Sequence, residues 1–425
     1  MRQIISKIWS SPSVRNVGKL LSANIIAQAI GLLIYPVLTR MYAPEDFGLL
    51  SLFMSIAGTL VLISTLEWHK AIVLPIEEEQ SRAVVHLSIL PLIALTILLV
   101  LTIPFTKPIA TLFKSPDLAQ YYWLLPIYVI LQGGWNILNY WFIRRKAFGR
   151  ISGYQISQSL FSAGYKIGFG FIGRLNGGLI YASILSPLCS LLISISLSAT
   201  KHLRYLLHFD KTVCRQVACK YSNFPKYSLP HSLINYIASQ LPVLLLTPFF
   251  GTRLVGFWAM ATLLSFAPIS MITNAVYQVL YQKTTMHVNA CNHIAHFYRR
   301  FTIISVSVIV PFFTCLWFVL PWLTQWLLGD EWRVTGEYIR WLLPWLLCVF
   351  LCASTGYLFD VFSKQKQGLF FEIIIAIARL IGLGIGIYFH SFTLAIICYA
   401  TASAIINGVQ YVWLMSLVKK YEDSL

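Results

Sequence analysis

Residues 221–268 read YSNFPKYSLPHSLINYIASQLPVLLLTPFFGTRLVGFWAMATLLSFAP, and this segment decides how the rest of the chain is organised. Two apolar runs in the segment meet at Phe250-Gly251-Thr252-Arg253, where a glycine beside polar residues indicates a tight turn. Each run supplies the roughly 20 residues that a helix needs to cross the hydrocarbon core of a bilayer. The segment therefore predicts a pair of membrane-spanning helices that starts anew after the basic stretch preceding it.

The composition of the whole chain agrees with a membrane protein. Its 425 residues are 57% hydrophobic and 11% charged, whereas a soluble domain carries roughly 25% charged residues. The formal net charge is +17, but most basic residues lie in short loops between apolar runs, as in proteins that orient themselves in a bilayer. The charge is therefore not interpreted as a nucleic-acid-binding surface.

Twelve apolar runs are long enough to span a membrane, and together they predict an all-α polytopic fold. Lys166 interrupts the fifth run, and Glu372 and Arg379 interrupt the eleventh. The boundary between the last two runs is placed at His390-Ser391. The runs cover residues 20–39, 47–66, 83–106, 118–143, 151–173, 175–200, 227–252, 254–282, 301–329, 341–359, 368–389 and 391–418.

The distribution of basic residues predicts the orientation of these spans. With both termini inside, the inner segments hold 23 of the 32 Lys and Arg residues and the outer segments hold 7; the other two lie within spans. Cytoplasmic loops carry the excess of Lys and Arg in multi-pass proteins. Both termini are therefore predicted to be cytoplasmic.

Two short patterns recur in the second half of the chain. Residues 123–126, WLLP, recur at 341–344, an offset of 218, and the triplet Asn24, Ala27 and Gln28 recurs about 211 residues later as Asn235, Ala238 and Gln240. Each copy of the repeat contains six spans. Because six is an even number, both copies begin on the same side of the membrane and therefore have the same orientation. The pattern predicts two parallel six-helix lobes around a central cavity, residues 1–200 and 227–425, joined by a basic cytoplasmic linker at 201–226.

The sequence of residues 221–268 also resembles that of a known protein family. The strings FPKYSLP, SQLPVLLLTPFFG and VGFWAMA, together with PVLTRMY at 36–42, resemble the polysaccharide-repeat (O-antigen type) flippases of the multidrug/oligosaccharidyl-lipid exporter superfamily. The resemblance implies a transporter of the bacterial inner membrane. Its substrate would be an undecaprenyl-diphosphate-linked oligosaccharide, moved by alternating access to the periplasmic leaflet for lipopolysaccharide O-antigen or a related surface polysaccharide. Membrane lipids and other polysaccharide-assembly proteins are the implied partners.

Two other functions are alternatives to a flippase. A membrane glycan polymerase or glycosyltransferase would be expected to carry acidic residues on a large outer loop, and the outer loops here are short. A cation-coupled drug antiporter of the same superfamily would suit a cavity without deep basic residues. An ATP-driven pump is excluded because the chain has no GxxxxGK[ST] motif. We expect no catalytic residue, no resident cofactor and no metal site.

Lys166 and Arg379 are the main candidates for substrate binding, because a cation within a span usually faces a polar cavity or a partner. A diphosphate is an anion that both side chains can bind. The alternatives are an ion pair of Arg379 with Glu372, and a Lys166 side chain that reaches the membrane surface. Polar amides within spans form a second group of candidates, for which hydrogen bonding between helices is the alternative: Asn24, Gln28, Asn235, Gln240, Asn139 and Gln278.

Three carboxylates at or within span ends are candidates for coupling transport to H+ or Na+. These are Glu67, Asp360 and Glu372. The alternative for each is a solvated position at the membrane surface.

Overall fold

The computed structural model describes residues 12–172, 177–196, 210–289, 293–362 and 364–423. Within these ranges the chain is helical and contains no strand. Eight helical segments there are long and apolar enough to cross a membrane, and one of them, Phe224–Val288, is long enough to do so twice. The predicted all-α membrane fold is confirmed.

Twelve long helices can be counted in the described ranges when the longest is divided at its break, Gly251. The first six are α1 (Pro12–Leu33), α2 (Pro44–Ser64), α3 (Glu78–Leu101), α4 (Leu124–Arg144), α5 (Phe148–Ile172) and α6 (Gly178–Ser196). The helix Leu229–Asn289 supplies α7 (229–250) and α8 (252–289). The last four are α9 (Ala295–Leu328), α10 (Arg333–Thr355), α11 (Gln365–Tyr388) and α12 (Phe392–Glu422).

Short helices connect the long ones. They are Tyr35–Leu38, Trp68–Val73, Ile103–Phe105, Thr106–Leu112, Leu118–Tyr121, Lys211–Lys220, Phe224–Ser228, Asp330–Trp332 and Leu358–Val361.

Two boundaries predicted from the sequence are confirmed. Gly251 has a φ of 78°, in the left-handed region that glycine adopts without steric cost, and it separates α7 from α8 at the predicted turn. The eleventh and twelfth helices separate around His390, and the Ser391 side chain caps α12 by accepting a hydrogen bond from Leu394 N at 3.3 Å.

Two other predicted span boundaries were wrong. They were placed at charged or polar residues flanking the apolar runs, and such residues do not mark where a helix begins or ends. The first span was predicted to run uninterrupted over 20–39, but α1 ends at Leu33 and Tyr35–Leu38 forms a separate short helix. Pro36 lacks the N–H that would continue the α1 hydrogen bonds. The fourth span was predicted to begin at Leu118; that residue instead opens a separate turn, and α4 begins at Leu124.

The chain separates into two compact units, Met1–Gln240 and Leu241–Leu425. The first unit therefore takes in the first part of α7, which the repeat in the sequence assigns to the second lobe. The predicted lobes and the linker at 201–226 stay a prediction, and residues 201–209 of that linker lie outside the described residues.

In the core of the first unit, α4 and α5 meet through two stacked aromatic rings. The rings of Trp135 and Tyr154 stack with their centroids 3.3 Å apart, and both side chains are buried. The helix Lys211–Lys220 buries Cys214 and Val217 in the same apolar cluster, which includes residues of α3. The stacked rings hold α5, which also carries the polar residues described below, against α4.

The first part of α7 packs closely against α2 within the first unit. The Tyr236 hydroxyl donates a hydrogen bond to the carbonyl of Met54 at 3.2 Å and lies directly over Gly58. A Cβ atom at Gly58 would lie 1.9 Å from that hydroxyl oxygen. One turn further on, the Ser55 hydroxyl donates to Gln240 Oε1 at 2.7 Å. The two helices are therefore held by hydrogen bonds as well as by shape.

In the second unit, α11 and α12 approach each other at glycines. A Cβ atom at Gly386 would lie 2.2 Å from Ala395 Cβ and 2.3 Å from Ala395 Cα, and one at Gly382 would lie 2.9 Å from the Cys398 carbonyl carbon. Small residues let helix backbones approach closely where lipid offers little hydrophobic driving force for association.

We predict that Gly386→Ala destabilises the protein and that Gly384→Ala on the same helix does not. The added methyl group at 386 would collide with Ala395, and overpacking of this kind costs about 1–3 kcal/mol of unfolding free energy. No atom outside the helix backbone lies within 4 Å of a Cβ at Gly384. Thermal unfolding of the purified proteins in detergent measures the difference, and equal melting temperatures for the two variants would contradict the predicted contact.

Candidate functional site

The first unit contains a polar cavity of about 370 Å³. Its wall is formed by α1, α2, α4, α5, α6 and the short helix after α1. Among the described residues that line it, Lys166 is the one with a formal charge, and none is a carboxylate. The other polar and aromatic lining residues are Asn24, Gln28, Tyr35, Tyr128, Gln132, Gln155, Gln158, Ser159, Ser162, Ser183 and Ser186.

One face of α5 supplies much of this polar wall. Gln155, Gln158, Ser159, Ser162 and Lys166 all line the cavity, and their spacing of three or four residues places them along one side of a helix. Tyr154, stacked on Trp135, packs α5 against α4 beside this wall. The amphipathic pattern therefore turns a membrane helix into one wall of a polar cavity.

Hydrogen bonds from two hydroxyl groups hold that wall in place. The Ser159 hydroxyl donates to the carbonyl of Ala27 at 2.8 Å, which ties α5 to α1. The Tyr42 hydroxyl donates to the carbonyl of Lys166 at 2.7 Å. The backbone that carries the Lys166 ammonium is thus fixed by a residue outside the cavity lining.

The chemistry of the cavity suits a polyhydroxylated, anionic ligand. Amide side chains donate and accept hydrogen bonds, as sugar hydroxyl groups do, and the ammonium of Lys166 adds a positive charge. Polar groups within a membrane protein need partners because hydrocarbon supplies none. A cavity with this many polar groups therefore holds water or a polar ligand.

Three of the residues predicted from the sequence come together in this cavity: Lys166, Asn24 and Gln28. Their role in binding stays a prediction. The sequence reasoning missed Gln132, Gln155 and Gln158, although the helical spacing of polar residues on α5 was a signal that could have found the last two.

Arg379 lies in the second unit and is held by α10 and α12. Its Nε donates to Ser403 Oγ at 3.1 Å, and its guanidinium carbon lies 5.2 Å from the centroid of the Trp345 ring and 5.3 Å from that of Tyr399. Both distances fall within the range of cation–π attraction. Within the described residues Arg379 forms no ion pair with Glu372, whose side chain is exposed, so that alternative is not what the structure shows.

The other four amide candidates lie in environments that differ from one another. Gln240 accepts the hydrogen bond from Ser55, which is the helix–helix alternative considered for it. Asn235 and Gln278 are exposed. The Oδ1 atom of Asn139 is buried and has no hydrogen-bond partner in the described part of the chain. None of these four lines the Lys166 cavity.

Among the three candidate carboxylates, Glu67 is buried, whereas Asp360 and Glu372 are exposed. Glu67 follows α2, is 1% exposed, and forms an ion pair with Lys70. Its Oε2 accepts a hydrogen bond from Ser228 Oγ at 3.1 Å, and its Oε1 has no partner in the described ranges. Asp360 accepts a hydrogen bond from Gln365 Nε2 at 3.3 Å.

His69 lies beside Glu67 in the short helix Trp68–Val73. Its Nδ1 is 2.7 Å from Thr65 Oγ1, and its ring meets the ring of Tyr140 edge-on with centroids 5.1 Å apart. Burial lowers the pKa of His69 to about 4; nearby Lys70 adds to this lowering, and Glu67 opposes it. The imidazole is therefore neutral in the folded protein at physiological pH.

Comparisons with known proteins agree with the fold and with the family resemblance. A model of the polysaccharide biosynthesis protein family matches residues 37–336. The succinoglycan biosynthesis transport protein ExoT of Rhizobium meliloti is 22% identical over 321 residues, which are 75% of this chain and 63% of that protein. The chain thus aligns with less than two thirds of this relative's length.

Solved structures of transporters share the fold. An inward-facing multidrug resistance transporter of the MATE family, in the MOP superfamily, superposes with a TM-score of 0.72 at 14% identity, over 95% of this chain and 98% of that one. A MOP superfamily transporter from Pyrococcus furiosus gives a TM-score of 0.56 at 14% identity, over 96% of each chain. These matches show that the chain shares the fold of these transporters.

We predict that the folded protein loses stability as the pH falls from about 6.5 towards 4, and that His69→Gln reduces this loss. An unfolded histidine binds a proton below pH 6.5, whereas buried His69 stays neutral to about pH 4. This difference costs about 2 kcal/mol at pH 5. Melting temperatures at pH 7.5 and 5 measure the effect, with His231→Gln, an exposed histidine, as control. Equal pH slopes in wild type and His69→Gln would contradict the assignment.

Proposed function

Because the chain belongs to the family of polysaccharide biosynthesis proteins, we propose that it is a flippase for lipid-linked oligosaccharides. Its substrate is an undecaprenyl-diphosphate-linked repeat unit, carried from the cytoplasmic to the periplasmic leaflet of the bacterial inner membrane. The repeat unit serves lipopolysaccharide O-antigen or a related surface polysaccharide. Family and fold support a transporter role, and both termini lie in the cytoplasm in this proposal.

The Lys166 cavity is the observation that carries the proposal. A lipid-linked repeat unit has a diphosphate that carries two negative charges, and a chain of sugars. The cavity offers one cation and a wall of amides and hydroxyls, with no carboxylate to repel an anion. Lys166 binds the diphosphate in this proposal, and the Asn and Gln side chains of α1, α4 and α5 bind sugar hydroxyl groups.

Two aromatic rings extend the match to a saccharide. Tyr35 and Tyr128 line the cavity beside the amides. A tyrosine presents an apolar ring face together with a polar hydroxyl, so it can contact both the C–H and the O–H groups of a sugar. The cavity therefore combines directional hydrogen bonds with apolar contact, the combination found in small-molecule sites.

Arg379 remains a proposed second binding residue for the anionic group. The aromatic rings of Trp345 and Tyr399 and the hydroxyl of Ser403 hold its guanidinium in one place. A positioned guanidinium binds phosphate in a bidentate manner without first losing side-chain freedom. Coupling to H+ or Na+ would involve Glu67, the buried carboxylate among the candidates, since no carboxylate lines the cavity.

A cation-coupled drug antiporter is the second candidate function, favoured by the structural match to a multidrug resistance transporter. That match is 14% identical and shows the fold. Lys166 would repel a cationic drug by like charge in a medium of low dielectric constant, where such repulsion is strong. The charge of the cavity therefore supports the anionic substrate over the cationic one.

We predict that Lys166→Gln reduces transport of the lipid-linked repeat unit roughly tenfold or more, because a lost hydrogen bond to a charged group costs about 1.5–3 kcal/mol. The assay expresses each variant in a strain that lacks the gene and measures how much complete repeat unit accumulates on the cytoplasmic leaflet. Lys166→Arg, which keeps the charge, should retain part of the activity, and Lys107→Gln, which removes an exposed charge, should retain all of it.

Each outcome of this assay discriminates between functions. Accumulation of complete units on the cytoplasmic leaflet in the deletion strain supports a flippase. Single units that reach the periplasm without being polymerised would instead indicate a polymerase. Normal surface glycan in a Lys166→Gln strain with a normal amount of protein in the membrane would contradict the role of Lys166.

A further inference from the structure

An apolar groove lies between α9 and α10 of the second unit, and it shares no residue with the Lys166 cavity. It encloses about 350 Å³. Its lining residues are apolar except for Thr314, and they include Val310, Phe313, Trp317 and Leu347. The Thr314 hydroxyl donates to the carbonyl of Val310 at 2.8 Å, so its polarity is satisfied within the helix.

The positively charged side chain of Arg340 lies at one end of this groove. The Nε of Arg340 donates to the carbonyl of Trp317 at 2.6 Å, and the guanidinium carbon lies 6.0 Å from the centroid of the Trp317 ring. A guanidinium has five N–H donors, and the other four have no partner among the described protein residues. Glu337, one turn earlier on α10, is exposed and forms no ion pair with Arg340 in the described part of the chain.

The surroundings place this cation within reach of lipid. The outward face of α9 exposes large apolar side chains, among them Phe318 at 72%, and nearer its end the exposed rings of Trp322 and Trp326 stack with centroids 6.4 Å apart. Tryptophans on the lipid-facing surface concentrate at the headgroup level of a membrane. Along α9, Trp317 lies about 8 Å deeper in the membrane than Trp322, at 1.5 Å per residue. A guanidinium beside Trp317 can therefore reach the headgroup region.

We propose that this groove binds one phospholipid of the bilayer, with its phosphate on Arg340 and one acyl chain along the groove. The open N–H donors of Arg340 match a phosphate, which guanidinium binds with two parallel hydrogen bonds. From residue 310 to 318 the α9 side of the groove runs about 12 Å, close to the roughly 15 Å depth of the hydrocarbon in one leaflet. A chain of one leaflet fits that length, whereas a polyprenyl chain is several times longer.

The bound phospholipid fills a gap between two helices that the protein leaves open. Arg340 would otherwise lie beside hydrocarbon with four of its N–H donors unpaired among the described protein residues, and hydrocarbon supplies no partner for them. The site lies outside the Lys166 cavity, and the proposal does not depend on what that cavity transports.

Native mass spectrometry of the full chain in detergent tests the site. Phosphatidylglycerol is the probe, and diacylglycerol, which has the same chains but no phosphate, is the matched control lipid. We expect wild type to retain one phosphatidylglycerol in preference to diacylglycerol. Arg340→Gln should lower its retention about tenfold, as expected for losing a charge-assisted bond. Arg333→Gln, which removes an exposed charge on the same helix, should leave retention unchanged.

A second pair of variants tests the groove itself. Thr314→Trp fills the groove, and we expect that variant to retain neither lipid. Cys315→Trp is the control, because it adds a similar bulk at an exposed neighbouring position that does not line the groove, and it should retain phosphatidylglycerol as wild type does. Equal retention in wild type, Arg340→Gln and Thr314→Trp would overturn the proposal. Displacement of phosphatidylglycerol from wild type by equimolar undecaprenyl phosphate would overturn the choice of phospholipid. If Arg340→Gln fails to fold, Arg340→Lys replaces it, with partial retention expected.

Discussion

The structure depends on one constraint: a charge or polar group inside a membrane protein has to find a partner, because the surrounding hydrocarbon offers none. Three basic residues meet this constraint in three ways. Lys166 lies in a cavity lined by amides and hydroxyls, Arg379 lies between two aromatic rings and a serine hydroxyl, and Arg340 is held by the carbonyl and ring of Trp317. Each of these three cations thus has polar or aromatic partners within the protein.

The same constraint explains why the helices pack as they do. Lipid chains solvate apolar side chains about as well as other helices do, so association relies on close fit and on hydrogen bonds. Gly386 lets α11 approach α12, and Gly58 makes room for the Tyr236 hydroxyl between α2 and α7. In each pair, one missing Cβ atom allows a closer contact between the helices than any other residue would permit.

The sequence predicted the class of fold well, because a span of about 20 apolar residues is a physical requirement that leaves a direct record in composition. It also predicted the breaks at Gly251 and His390, which depend on local backbone chemistry. It could not predict the partners of individual side chains. Asn24 and Asn235 occupy matching positions in the repeat, yet one lines a cavity and the other is exposed, because that outcome depends on neighbouring helices that the repeat does not specify.

The way α5 is anchored separates the chemistry of the cavity from the stability of the fold. Tyr42 holds the Lys166 residue through its backbone carbonyl, and Ser159 reaches the backbone of Ala27. The side chains at 155, 158, 162 and 166 project from a helix whose position is fixed by other contacts. Exchange of these four side chains would therefore change what the cavity binds while the anchoring contacts of α5 stay in place.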